Sequence, residues 1–328
     1  MVTQIIIINY KTWQDTIECL GSLLLLTSKN FGITIVEMCN LNDSRRHLKN
    51  WIEDHPEVAT EIIEINQNLG FAGANNAAMQ KVLSGNKPDF IWLLNNDTVV
   101  DNAALDDLVK TWHLLENDQK APAFIGSKII DFDRRETIQS VGGSFNPLTG
   151  ISKLTGMGSK IERFPANGIL PTDYVMGASM FFHNNLIRSI GLMDSAYFLY
   201  YEDVDWCYKA KAHGYGNFTC LSSLVFHKQG VTTGNKYNKT AFNPATIKYL
   251  HSSYLRFFSK HFPMYLPVAL VMILKQIMGM VFRSHFSEAG IMAGVLFTSP
   301  KIFFSSCRIY NSGWVPFKNK SKLNLNEV

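Results

Sequence analysis

The run Phe90-Ile91-Trp92-Leu93-Leu94 ends abruptly at Asn95-Asn96-Asp97, and no other stretch restricts the possible folds of this chain as much. Apolar residues without alternation mark a strand buried on both faces, as in a parallel sheet covered by helices. In open α/β sheets, ligands sit just outside the carboxyl ends of such strands. An acid flanked by short amides at that edge is suited to hold a divalent cation through oxygen ligands. The same triplet also reads as a plain turn with Asp101 capping the next helix, because Asn and Asp dominate turns and N-caps. On this stretch alone both readings stay open.

The rest of the first half repeats the theme. Ile5-Ile6-Ile7-Ile8-Asn9-Tyr10 predicts a first buried strand, Thr12 or Asp15 can cap a helix to about Leu26, and Ile33–Cys39 predicts a second strand. Asn40-Leu41-Asn42-Asp43-Ser44 loops into a helix near Arg45–Asp54. Glu61–Ile65 predicts a third strand, Ala72–Leu83 a helix of small residues, and Asp101–Asn117 the helix after the opening stretch. Strands alternating with helices imply βαβ units and a mostly parallel sheet. No GxGxxG follows the first strand and no GxxxxGKS/T occurs, so neither a standard dinucleotide fold nor a P-loop is expected. Beyond Phe124–Ile130, the glycines and proline between Gly142 and Gly158 break the chain into hairpins and loops. Asp173–Phe182 predicts a strand containing Gly177-Ala178-Ser179, followed by helices at Asn184–Ile190 and Glu202–His213 and a last core strand at Leu221–His227.

A length of 328 residues allows one large or two modest domains. The net charge of only +4 argues against a nucleic-acid binder. Its distribution says more: from His251 onward nine Lys and Arg face two Glu, so the basic end is also the greasy end. After a helix over 244–261, Pro263–Phe282 carries only Lys275 and Ala289–Ser306 only Lys301. Each is near the ~20 residues a bilayer span needs. Pro267, Gln276, Gly279, Gly294 and Pro300 interrupt them, which favours amphipathic helices lying in the interface over true spans. The plainer reading is a buried appendage or a homo-oligomer contact. Five scattered cysteines without a CxxC pair fit neither a disulfide framework nor a zinc site and suggest a reducing compartment. Met1-Val2-Thr3-Gln4 leads straight into a strand, so no signal peptide is expected. The expected location is therefore the cytoplasm, peripherally attached to the inner face of the cell membrane.

Four clusters fall at predicted strand ends or begin the neighbouring elements: Asn9-Tyr10, Asn66–Asn76, Asn95–Asp97, and Glu202-Asp203 with His227. Asn68 to Asn76 supplies amides and small residues at a helix start, where Gly70 and Gly73 permit close backbone approach and free N–H groups welcome an anion. Helix capping and tight packing explain the same residues without a ligand. Glu202, Asp203 and Asp205 occupy the first turn of a helix, which the helix dipole favours unaided. Clustered carboxylates near a cation also make a natural general base. His227 at a strand end is either structural or able to complete a metal site.

The order of segments resembles the inverting, nucleotide-sugar-dependent enzymes of glycosyltransferase family 2. Within it, the chain is most similar to the bacterial rhamnosyltransferase-type branch that builds surface polysaccharides such as lipopolysaccharide O-antigen. The resembling features are Ile5–Tyr10, Asn68–Asn76, Leu93 to Asp97, Gly177-Ala178, Tyr201 to Asp205 and His227-Lys228-Gln229-Gly230, spanning roughly 4–235. Tyr249–Pro263 also resembles the stretch before that branch's membrane-associated tail. The resemblance implies a GT-A fold, with a Rossmann-like, mostly parallel central sheet and a C-terminal helical, membrane-associated extension. It places a catalytic domain over 1–243, its nucleotide-sugar half about 1–130 and its acceptor half about 131–243, before a basic hydrophobic region over 244–328.

Position by position, the resemblance makes Asp97 and His227 metal ligands for Mg²⁺ or Mn²⁺, Asp203 the catalytic base and Glu202 its neighbour in catalysis. Asn9, Tyr10, Asn40, Asp43, Asn68, Gly70, Gly73, Asn76, Asn95 and Asn96 fall to the nucleotide sugar, and Gly177, Ala178 and Asp205 to the acceptor. Two departures stand out. The triplet Asn-Asn-Asp keeps one carboxylate, and the usual Asp-Asn after strand two is Cys39-Asn40, for which Asp43 is a candidate substitute. The implied reaction is transfer of a sugar, rhamnose by preference, from a dTDP-, UDP- or GDP-linked donor to a lipid-linked oligosaccharide. Two rivals are a sugar nucleotidyltransferase and a silent scaffold. The first expects a basic Gly-rich loop after strand one, where Asn9-Tyr10-Lys11-Thr12 has no glycine; the second is permitted by the reduced triplet.

Overall fold

The computed structural model describes residues 1–39, 42–85, 87–228 and 243–298. Its first part alternates strictly: β1 (Thr3–Asn9), α1 (Trp13–Leu24), β2 (Phe31–Met38), α2 (Ser44–Asp54), β3 (Thr60–Ile65), α3 (Gly70–Ser84) and β4 (Phe90–Asn95). β4, β1, β2 and β3 lie side by side and parallel. The strands are continuously apolar because both faces are covered. Ile5, Ile7, Ile33, Ile35, Trp92 and Leu94 pack with α1 and α2 on one side. Ile6, Val36, Ile91 and Leu93 pack with the small residues of α3 on the other. Ala72, Ala74 and Ala78 are fully buried there, which explains why that helix is built from small side chains.

The second part is β5 (Thr98–Val100), α4 (Ala104–Asn117), β6 (Pro122–Asp131), β7 (Ile138–Ser140), β8 (Gly143–Asn146), β9 (Ile151–Leu154), β10 (Ile169–Thr172), β11 (Ser179–His183), α5 (Asn185–Ile190), α6 (Glu202–Ala212) and β12 (Gly216–His227). β11 inserts antiparallel between β4 and β6, and β12 runs parallel to β6. The sheet order is β10-β12-β6-β11-β4-β1-β2-β3, with β5 on β12 and β7 on β6. The sheet is thus mixed on one side of β4 and wholly parallel on the other. β8 and β9 form a separate hairpin.

Two expectations change in detail. The opening stretch is not one strand: Asn96-Asp97 turns the chain between β4 and β5, and Asp101 Oδ1 accepts the Ala103 N–H at 3.0 Å just before α4. The turn is therefore real and lies at the sheet edge, but the N-cap of α4 is Ala103 rather than Asp101, with no side-chain cap. The strand expected over Asp173–Phe182 begins only at Ser179. Before it, backbone groups find other partners: Gly143 N–H bonds the Tyr174 carbonyl and Gly177 N–H bonds a side chain of α6.

The chain closes with α7 (Pro244–His261), α8 (Leu266–Phe282) and α9 (Phe286–Thr298). Asn243 caps α7 by accepting the Ala245 N–H at 2.9 Å, with Pro244 at the first helical position. These helices share the hydrophobic core under α3 and α6 through Ile247, Phe257, Phe258, Ile273 and Met292. Phe145 on the β8–β9 hairpin packs edge-on against Phe257 and Phe258. Among the described residues, Pro263–Phe282 is the one stretch long and apolar enough to cross a membrane. The expected second greasy stretch is helical to Thr298, and its remainder lies outside the described residues.

Candidate active site

β5 returns antiparallel along the end of β12 so that Thr98 faces His227. That register sets Asp97 against the imidazole: Asp97 Oδ1 lies 3.2 Å from His227 Nε2, and both side chains are almost fully buried. The Lys228 N–H also donates to the Asp97 carbonyl at 2.9 Å. Burial alone would push the Asp97 carboxyl up, but the His227 charge and hydrogen bond, its own backbone and Lys228 hold it below the usual carboxylate range. On the far side of the ring, His227 Nδ1 meets Gln139 Oε1 at 2.9 Å.

Asp203 reaches the same space from α6. The chain enters that helix through Tyr200 and Tyr201, both left-handed at φ 69° and 67°. Asp203 Oδ2 accepts the Gly177 N–H at 2.9 Å, and Oδ1 accepts the Val204 N–H at 2.8 Å. The next residue, Ala178, accepts the Asn95 N–H at 3.0 Å. Two consecutive residues thus pin the end of β4 and the start of α6 to one another. Burial raises the Asp203 carboxyl despite those N–H donors. Glu202, next to it, is raised further by burial and by the Asp203 charge, and its Oε2 is buried without a hydrogen-bond partner.

These groups surround one cleft of ≈ 1230 Å³. Tyr10, Asn68, Gly70, Asn95, Asn96, Asp97, Gly177, Ala178, Glu202, Asp203 and His227 all line it. Some of them are committed elsewhere. The Asn96 amide donates to Thr12 Oγ1 at 2.8 Å and Thr16 Oγ1 at 2.9 Å, tying the turn to α1. The start of α3 offers fewer free donors than its sequence suggested. Gly70 N–H is taken by Asn68 Oδ1 at 2.9 Å and Phe71 N–H by the Phe198 carbonyl at 2.9 Å.

Five expected site residues do not line the cleft. Asn9 is buried beneath it, donating to Glu37 and accepting the Thr16 hydroxyl at 2.7 Å. Asp43 is an exposed left-handed residue before α2, paired with Arg46 at 2.9 Å. Gly73 faces Leu69, where a Cβ would lie 2.9 Å from the leucine Cβ. The Asn76 amide clamps the Met193 backbone, donating at 2.8 Å and accepting at 3.1 Å. Asp205 does not face the cleft: it is 1% exposed and binds Lys260 Nζ at 2.8 Å, His261 Nε2 at 2.7 Å and the Tyr197 hydroxyl at 3.0 Å. One turn of helix separates the acids by face, which a linear cluster conceals. Asn40 lies outside the described residues.

The donor set of Asp97 and His227 suits a hard or borderline divalent cation. Among the described residues no three His, Cys, Asp or Glu gather as a metal cluster, so a cation held by this pair would need its remaining ligands from elsewhere.

The family model for Glycosyl transferase family 2 matches residues 4–178, more than half of the chain and most of this cleft. The chain belongs to that family. This family 2 member is 22% identical over 227 residues to the low-salt glycan biosynthesis hexosyltransferase Agl10 of Haloferax volcanii, covering 69% of this chain and 67% of the relative. Its fold is similar to that of GalNAc-T7, solved with UDP, GalNAc and Mn²⁺ (TM-score 0.61, 13% identity, 81% of this chain). It spans 49% of that chain, about half its length. It is also similar to the mannosyltransferase PcManGT of Pyrobaculum calidifontis, solved with GDP-Man and Mn²⁺ (TM-score 0.54, 14% identity, 91% of this chain and 75% of that one). The fold of the family 2 chain is the expected GT-A type: an α/β sheet flanked by helices, with a C-terminal helical region. Several of its cleft residues left no signal in the sequence. Asp131, Asp133 and Arg134 lie in what reads as a connecting loop. Phe71, Asn75, Lys228 and Tyr249 also line the cleft and sat inside stretches that the resemblance had marked without assigning them a role.

Proposed function

We propose that this chain is an inverting hexosyltransferase. It moves a sugar, rhamnose by preference, from a nucleoside-diphosphate donor to a lipid-linked oligosaccharide with Asp203 as base. One observation carries the reading: the Asp97–His227 pair and the Glu202–Asp203 pair are pinned to the same cleft through Gly177 and Ala178. The nucleotide and Mn²⁺ named with the two structural relatives support the donor class, and the hexosyltransferase relative supports the transferred group. The rhamnose choice rests on the resemblance to the rhamnosyltransferase branch.

In the reaction, Asp203 takes the proton of an acceptor hydroxyl while its oxygen bonds to the anomeric carbon. The bond to the diphosphate breaks on the opposite face, and the diphosphate departs with the electron pair. A carboxylate acting as base rather than as covalent nucleophile suits this one-step inversion. Its raised proton affinity makes Asp203 a stronger base than an ordinary surface carboxylate. Asp97 and His227 would hold Mg²⁺ or Mn²⁺, which supplies neutralisation of charge building on the leaving diphosphate. A panel of dTDP-, UDP- and GDP-sugars, assayed with and without Mn²⁺, tests the donor class. Absence of metal-dependent transfer or hydrolysis across the panel defeats it.

The membrane part of the reading rests on the outer face of α8 and α9. Ala269, Ile273, Met292 and Val295 pack inward, whereas Val271, Leu274, Met278, Phe282, Phe286 and Phe297 are exposed. Lys275 and Arg283 accompany that face, so a greasy and basic surface is offered to anionic lipid at the cytoplasmic side of a membrane. The combined change Val271→Glu, Leu274→Glu and Met278→Glu is expected to release the protein from sedimenting anionic vesicles. Unchanged co-sedimentation sinks the peripheral attachment.

A further inference from the structure

We propose that Gln139 is the positioning residue that fixes which nitrogen of His227 faces Asp97; this rests on the metal-assisted reading above. Gln139 sits on β7, a three-residue strand whose neighbour β6 pairs with β12, and it is almost fully buried. Its amide holds the backbone and the ring of one residue at once. Nε2 donates to the His227 carbonyl at 2.7 Å, a bond only the NH₂ end can make. That orientation turns Oε1 toward Nδ1 of the same histidine, 2.9 Å away, where an amide oxygen can only accept. Nδ1 therefore carries a hydrogen, and Nε2, 3.4 Å from Asn95 Nδ2, is the nitrogen turned toward the cleft for a proton or a cation. It faces Asp97 Oδ1 at 3.2 Å.

The opposite tautomer would aim an N–H at the cation's place, and a ring turned by about 180° would aim a C–H there. Partners behind a ligating histidine act in this way: they set the tautomer, orient the ring and increase its basicity. No catalytic contact is assigned to Gln139 itself; it does not line the cleft. Nothing in the sequence marked it.

The test uses the full-length chain, labelled with ¹⁵N-histidine, and two variants. Long-range ¹H–¹⁵N correlation on the wild type is expected to show the neutral His227 ring protonated at Nδ1. Finding the neutral ring protonated at Nε2 overturns the proposal, and this readout needs no variant and no metal. Mn²⁺ affinity, measured by electron paramagnetic resonance with UDP present, is expected to fall roughly 10- to 100-fold in Gln139→Leu. In Gln139→Glu, whose carboxylate still accepts from Nδ1 but no longer donates to the His227 carbonyl, part of the affinity should return. Wild-type affinity in a folded Gln139→Leu overturns the positioning role. If the wild type itself binds no Mn²⁺, the metal reading falls, while the ring spectrum still decides whether Gln139 sets the tautomer. A Gln139→Leu chain that does not fold leaves the decision with the wild-type spectrum.

Discussion

Asp203 and Glu202 are neighbours on α6 with different surroundings: the first has two backbone N–H donors, the second an orphaned buried oxygen. Removing the base should cost what general-base catalysis contributes, roughly 10²- to 10⁴-fold. Asp203→Asn is therefore expected to lower kcat by that factor while donor binding, followed by calorimetry, stays near normal. Near-normal turnover would remove Asp203 from the role. The pH profile belongs to the same residue. Burial raises the Asp203 carboxyl, and the base form accumulates only as pH rises through that raised value. The acid limb of kcat should thus lie above the ordinary carboxylate range near about 3.9. A limb at or below that range contradicts the buried-base geometry. At this scale the sequence was informative where chemistry depends on residue type at a strand end, as for Asp97 and His227. It was silent on Gln139, since one amide in a short strand has no pattern of its own.

The elements were legible wherever burial imposes a period or a run. β1, β2 and β4 announce themselves because α1, α2 and α3 cover both of their faces, leaving no room for polar alternation. The Asp173–Ala178 segment was misjudged because its backbone partners are a side chain on α6 and the β8 edge, neither of which is local in sequence. Asp205 was misplaced for a related reason, because only the rotation of α6 separates it from Asp203. The start of α3 gives a prediction. Gly70 has φ +70°, and a Cβ there would collide with the Phe198 carbonyl oxygen that receives the Phe71 N–H. A left-handed residue with a side chain costs about 1–2 kcal/mol before that collision is counted. Gly70→Ala should lower stability by at least that much in urea unfolding and weaken donor binding, because Phe198 lines the cleft. A stable variant with unchanged donor affinity would show the loop to be indifferent.

Across the whole molecule, the catalytic and C-terminal parts are joined by charge as well as grease. Asp205 on α6 is held by Lys260 and His261 at the end of α7, and Lys260 reaches Asp194 at 3.2 Å as well. Leaving Lys260 and the His261 ring without their buried partner should cost about 3–5 kcal/mol, so Asp205→Ala is expected to unfold at markedly lower urea. The sign with pH follows. Burial pushes the Asp205 carboxyl up, but His261 and Lys260 prevail and its folded value lies below the unfolded 3.8. The stabilisation is therefore present above 3.8 and is lost as pH falls through the lower folded value. Melting scans of wild type and Asp205→Asn between about pH 6 and pH 2 should converge at the acid end; parallel curves refute the linkage. α8 then runs back along α7, where Gln276 meets His251 at 2.9 Å, two residues past the cleft-lining Tyr249. The exposed face of α8 and the cleft are thus carried on helices that share one hydrophobic core. If α8 rests on a bilayer as proposed, that shared core would hold the cleft at one stand-off from the lipid. A lipid-linked glycan would then have to project far enough to bring its hydroxyl to Asp203, so that acceptor length would be selected along with identity.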